Sequence, residues 1–200
     1  MNKTKRIFEQ TPETMEIICA GIGGRGVLLA STLLIECAVD AGLSAIASDE
    51  YGMSQRGGSV VSHVKIGDAK SPVVGRENAH VLLAFEESEF YRNLTFIRRG
   101  GLAIINSRNT SIFESVDKVL KKRNIAYFLI DGDKIAKEKG MIQASNMAIL
   151  GFFSAFSIGP YNHDALRHTI EKKVKESLVL KNIEVFEEGF LKAVSLSKNL

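Results

Sequence analysis

This chain has few of the residues that would carry redox or metal chemistry. There are two cysteines in 200 residues, Cys19 and Cys37. Neither belongs to a C-x-x-C pair, and each sits in an apolar stretch. Buried, reduced thiols of a cytosolic protein account for both. An iron–sulfur cluster takes about four cysteine ligands, so this chain cannot hold one alone. Only four histidines occur (His63, His80, His163 and His168), none in a catalytic or metal-ligand pattern. No Ser/His/Asp order and no Walker lysine is present.

Long apolar runs are missing as well. The longest, Met147–Phe156, is broken by Gly151 and Ser154 and is too short to span a bilayer. Met1–Thr14 is polar and lacks a signal-peptide core. The net charge is only +3, and the basic residues are scattered, with Lys121–Arg123 and Lys172–Lys175 reading as solvated helix faces. A soluble, cytoplasmic protein is expected, with neither nucleic acid nor membrane as a partner.

What is present is an ordinary globular composition, 45% hydrophobic and 24% charged. The expected organisation is an N-terminal extension over 1–14 and one domain over 15–200. Glu16–Ala20 reads as a buried strand and Val27–Ala41 as a helix, with Gly42 just past its end. Leu43–Ser48 reads as a second strand, completing a strand–helix–strand unit. A polar loop over Asp49–Gly58 leads to a strand at Ser59–Ile66.

Further strands fall at His80–Phe85, Leu102–Asn106 and Ile125–Ile130. Helices fall at Glu86–Ile97, Ser115–Arg123 and, after the turn Asp131–Asp133, up to Lys139. Three more helices, Asn146–Phe156, His163–Ser177 and Lys181–Ser197, close the chain. The pattern predicts an α/β fold of three layers: a mainly parallel sheet, helices on both faces, and a helical C-terminal portion.

Gly21, Gly23 and Gly26 satisfy G-x-G-x-x-G, with Gly24 a further glycine. A glycine turn between a strand and a helix start aims backbone N–H groups and the positive helix end at an anion. Arg25 adds a cation there. Asp49 and Glu50, 23 and 24 residues after Gly26, stand where a ribose-binding acid would. This pattern admits a phosphate-bearing ligand, a nicotinamide dinucleotide among them, or a tight packing turn with no ligand.

A second motif tips the balance. Tyr51-Gly-Met-Ser-Gln-Arg56-Gly57-Gly58 follows the acidic pair directly. Arg56 is suited to a bidentate carboxylate or phosphate, or to a salt bridge within the protein or across a subunit interface. Tyr51 and Met53 suit packing on an adenine or on a partner.

Gly21-Ile-Gly-Gly-Arg-Gly-Val27, Glu50 through Val64 (EYGMSQRGGSVVSHV), Ser71-Pro72 and Val81-Leu-Leu-Ala-Phe-Glu86 together resemble the gamma-type subunit of 2-oxoacid:ferredoxin oxidoreductases. The Gln55–Val64 form is most similar to the beta subunit of indolepyruvate ferredoxin oxidoreductase. Asn146 at the start of a buried helix, and Phe186–Phe190, resemble the family's C-terminal half. The likeness runs from about Glu16 to Val194, and it departs from the family at Arg25, where Gln is common.

The resemblance implies an accessory subunit of a multi-subunit enzyme, inactive alone. That enzyme decarboxylates a 2-oxoacid, here indolepyruvate or another aryl pyruvate, with coenzyme A to an acyl-CoA, carbon dioxide and reduced ferredoxin. Thiamine diphosphate and 4Fe-4S clusters are then carried by partner subunits, and ferredoxin is met through the complex. Coenzyme A is a possible ligand of Gly21, Gly23, Gly24, Arg25, Gly26, Tyr51, Arg56, Gly57 and Gly58; no catalytic or metal-binding residue is expected. The alternatives are a free-standing NAD-type oxidoreductase and a purely structural subunit, and homo-oligomers are possible for the isolated chain.

Overall fold

The computed structural model describes residues 13–52 and 57–198. Six strands form one sheet: β1 (Thr14–Ile22), β2 (Ala45–Tyr51), β3 (Ser59–Gly67), β4 (Ala79–Ala84), β5 (Ile97–Asn106) and β6 (Ala126–Ile130), in the order β2-β3-β1-β4-β5-β6. Seven helices flank it: α1 (Val27–Asp40), α2 (Glu87–Asn93), α3 (Glu114–Lys122), α4 (Gly132–Glu138), α5 (Ser145–Ser154), α6 (His163–Lys173) and α7 (Glu176–Lys198).

Alternation of side chains along β1 divides the core. Ile17 and Cys19 face a layer holding Leu33 and Leu34 of α1, Phe152 and Phe153 of α5, and Phe186 of α7. Ile18 and Ala20 face the other layer, with Phe90 of α2 and Leu120 of α3. The three-layer α/β expectation therefore holds, with helices on both faces. All of α5 is buried. It meets α7 backbone to backbone, because a Cβ on Gly151 would strike the Phe186 carbonyl and one on Gly189 the Ala148 carbonyl.

The sheet differs from the expected strand–helix–strand unit in one place. β3 runs antiparallel between β1 and β2, pairing Ile22 with Ser59 on one side and Tyr51 with Val60 on the other. A short connection joins β2 to β3, and strands so joined pair antiparallel. β1, β4, β5 and β6 are mutually parallel neighbours, so the sheet is mixed, though mainly parallel.

Strand β5 begins at Ile97, not Leu102. The register jumps from Ala79–Ile97 to Val81–Leu102, so Arg98–Gly101 form an excursion in the strand. Gly100, at φ 75°, donates its N–H to Arg123 O from within it. The expected helix over Glu86–Ile97 accordingly stops early, ending in a 3-10 turn at Leu94–Phe96. At the other end of α1, Gly42 takes φ 78° and Leu43 N donates to Ala38 O, the glycine stop that was expected. β1 starts at Thr14, one residue before the expected domain boundary.

Among the described residues, no helix is long and apolar enough to cross a membrane.

Candidate anion and ligand cleft

The glycine turn lies at the carboxyl end of β1, between β3 and β4. Close packing explains its first and last glycines. A Cβ on Gly21 would come 2.7 Å from Val27 Cγ2. Gly26, the residue before α1, takes φ 70°, and a Cβ there would come 2.5 Å from Asn146 Nδ2. That amide donates to Gly26 O at 3.2 Å, so the buried start of α5 holds the turn from below.

The two glycine segments meet. Gly23 N donates to Gly58 O at 2.9 Å, and Gly52 N to Ser59 O at 2.7 Å. Gly57, at φ 77°, sits beside them. Met53–Arg56, and with them the expected contact of Arg56, fall outside the described residues.

Between the segments opens a cleft of about 610 Å³ lined by Ile22, Gly23, Gly24, Gly26, Val27, Leu28, Tyr51, Gly52, Gly58, Ser59 and Val60. Its walls are largely apolar: Tyr51 is 63% exposed and Leu28 39% exposed at its rim. Its polar end is the start of α1, which has no capping side chain and no acid in its first turn. The first-turn N–H groups have no intrahelical acceptor and carry the positive end of the helix dipole. This cleft can seat an anion next to an apolar or aromatic group. Among the described residues it offers no acid–base pair, since of these only Tyr51 and Ser59 bring polar side chains to it.

Arg25 does not line this cleft. It turns to a second, polar cavity of about 440 Å³ at the carboxyl ends of β4, β5 and β6. There Nη1 meets Asp133 Oδ1 and Nη2 meets Glu86 Oε2, each at 2.8 Å. Asn106 Nδ2 donates to Asp133 Oδ1 and to Phe85 O, while its Oδ1 accepts from Gly132 N. Arg25 is thus a clamp across strand ends, its charge met by two carboxylates of the same chain.

The acidic pair is placed elsewhere too. Asp49 accepts from Ser62 Oγ at 2.6 Å, and Glu50 lies 3.3 Å from His63 Nε2. In a dinucleotide fold the acid-bearing strand adjoins the glycine turn. Here β3 stands between, moving that strand to about 9–10 Å from β1 instead of about 5. His63 Nδ1 accepts from Val74 N, and burial holds its pKa below the usual value, partly opposed by Glu50.

Burial likewise raises the Cys37 thiol to about 11 and the Cys19 thiol further, so neither is a thiolate nucleophile at neutral pH. Among the described residues, no group of three His, Cys, Asp or Glu side chains is placed to hold a metal ion.

Sequence reading missed four members of this region: Asn146 as the partner of Gly26, Glu86 and Asp133 as the partners of Arg25, and Glu89. The last is a fully buried carboxylate that accepts from Ser59 Oγ at 2.6 Å. No sequence signal marks it, because α2 is short and of mixed character.

Residues 16–191 match the pyruvate ferredoxin/flavodoxin oxidoreductase family, and the chain belongs to it. It is 28% identical over 193 residues to indolepyruvate oxidoreductase subunit IorB of Archaeoglobus fulgidus, covering 90% of this chain and 96% of that protein. It is also 28% identical to 2-oxoglutarate synthase subunit KorC of Methanothermobacter marburgensis, covering 87% and 94%.

The fold is shared with the keto/oxoacid ferredoxin oxidoreductase gamma subunit of Geobacter sulfurreducens (TM-score 0.71, 24% identity, 90% of this chain and 99% of that one). It is shared too with 2-oxoglutarate:ferredoxin oxidoreductase of Magnetococcus marinus, solved with 2-oxoglutarate, coenzyme A and succinyl-CoA bound (TM-score 0.75, 20% identity, 94% of this chain and 32% of that one). The chain is a subunit of a 2-oxoacid:ferredoxin oxidoreductase.

Proposed function

We propose that this subunit serves an enzyme acting on an aryl pyruvate, with indolepyruvate the first candidate, and that its cleft receives coenzyme A. The names of relatives such as the Archaeoglobus subunit support the substrate. The observation that carries the ligand is the cleft itself: an uncapped helix start and a glycine turn beside Val27, Leu28 and Tyr51. Coenzyme A has the matching parts, phosphates and an adenine joined to a largely apolar arm.

In this reading the chain binds and orients, and does no covalent chemistry. The glycine-turn and first-turn N–H groups hold phosphate, and Tyr51 and Leu28 pack on the organic part. Thiamine diphosphate and 4Fe-4S clusters would be held by partner subunits, where they would supply carbanion stabilisation and electron transfer. With two cysteines, both buried, this chain does not fit a cluster.

The test is co-expression with the thiamine-binding partner, followed by coenzyme A-dependent viologen reduction with several 2-oxoacids. The expected result is the highest kcat/KM for an aryl pyruvate, and activity lost without this chain. Preference for pyruvate or 2-oxoglutarate would overturn the substrate. NAD(H) turnover by the chain alone would overturn the whole assignment.

A further inference from the structure

Burying a carboxyl group is costly unless hydrogen-bond donors satisfy it, so a fully buried glutamate calls for a reason. Glu89 of α2 is such a residue, 0% exposed. Its Oε2 accepts from Ser59 Oγ at 2.6 Å and, more weakly, from Asn93 Nδ2 at 3.5 Å. Its Oε1 accepts from Arg92 Nη1 at 2.7 Å. Arg92 itself reaches the solvent, its side chain 66% exposed. Asn93 Nδ2 is anchored in turn on Glu89 O at 2.9 Å.

Ser59 is where this carboxylate acts. Its backbone carbonyl accepts from Gly52 N, it pairs with Ile22 of β1, and its neighbour Gly58 accepts from Gly23 N. Ile22, Gly23, Gly52, Gly58 and Ser59 all line the 610 Å³ cleft. α2 follows β4, which lies on the far side of β1 from β3. The Glu89–Ser59 bond therefore reaches past β1 and ties the β3 wall of the cleft to the helix beyond β4. Glu89 does not line the cleft itself.

We propose that Glu89 is the positioning residue of this cleft, its carboxylate fixing Ser59 and, through Gly58, the separation of the two glycine segments that receive the ligand. This rests on the reading of the cleft as a coenzyme A site. Removal of the latch leaves the start of α1 in place but lets the wall at Gly52, Gly58 and Ser59 shift, which weakens binding more than turnover.

The test compares Glu89→Gln, Ser59→Ala, Ser59→Thr and the Glu89→Gln/Ser59→Ala pair in the co-purified complex. Glu89→Gln and Ser59→Ala are each expected to raise KM for coenzyme A about tenfold with kcat within about twofold. Ser59→Thr, which keeps the hydroxyl, restores the wild-type value. The pair is no worse than Glu89→Gln alone, because both changes break one bond.

Amide exchange in the same complex separates this proposal from the one it rests on. Faster exchange at Gly23 and Gly52 in both single variants is expected. Faster exchange with an unchanged KM overturns the coenzyme A reading and this residue's part in it. Unchanged exchange, additive effects of the two changes, or a lowered Tm with neither exchange nor KM affected overturns the latch.

Discussion

The two sides of the glycine turn are built from opposite materials. On the β4–β6 side, Arg25 is held by Glu86 and Asp133, and Asn106 ties Asp133 to Phe85 and Gly132. On the β3 side the walls are apolar, and the start of α1 is left uncapped. A charged residue beside a phosphate-type turn is thus no sign of a phosphate. The side that looks charged is already neutralised, whereas the side that looks plain retains N–H groups with no acceptor among the described residues.

The largest expected disturbance strikes both sides at once. Gly26→Ala places a side chain at φ 70° and against Asn146. Left-handed strain of about 1–2 kcal/mol and a clash of about 1–3 are expected to lower Tm by roughly 5–15 °C for a chain of this size. A thermal melt of the complex checks this.

The main acid-sensitive group lies away from both sides, at the opposite ends of the strands. His80 Nδ1 accepts from Glu16 N near the start of β4, and burial, aided by Arg98, lowers its pKa to about 4. The native state thus favours neutral His80, and the unfolded chain takes up the proton first. Its contribution is complete above pH about 6.5 and is lost as pH falls to about 4, up to about 3 kcal/mol. His63, lowered in the same direction, adds to the loss. Denaturant melts across that range should show the fall, and His80→Gln should flatten it.

The remaining two changes separate the sides. Leu28→Asp puts a carboxylate at the first turn of α1, where the helix dipole favours it. Tm should hold within a few degrees, while KM for coenzyme A rises about tenfold through repulsion, equivalent to about 1.4 kcal/mol. Arg25→Gln should do the reverse. Glu86 and Asp133 are partly solvated, so the loss is about 1 kcal/mol of stability, with KM for coenzyme A changed less than about twofold. Paired melts and steady-state assays of the two variants decide it.

Much of the fold was legible because local patterns carry it. The apolar run of β1, the alternation in β3, the glycine after α1 and the largely apolar α5 each announce themselves. Strand order was not legible. A strand–helix–strand reading is the same whether or not β3 later inserts between its strands, and so Asp49 and Glu50 seemed better placed than they are. At the site, Gly21 and Gly26 were visible because close approach demands them. Their partners were not: Asp133 lies 108 residues from Arg25, and Asn146 lies 120 from Gly26. Glu89, in a short helix of mixed character, reads as a surface residue until Ser59 is folded against it.

The most direct test is amide exchange of the complex with and without coenzyme A. Protection is expected at Gly24 and Val27–Leu29, on the uncapped start of α1, with no change at Ser107–Asn109 beside Arg25. Protection at Ser107–Asn109 with none at α1 would contradict that expectation.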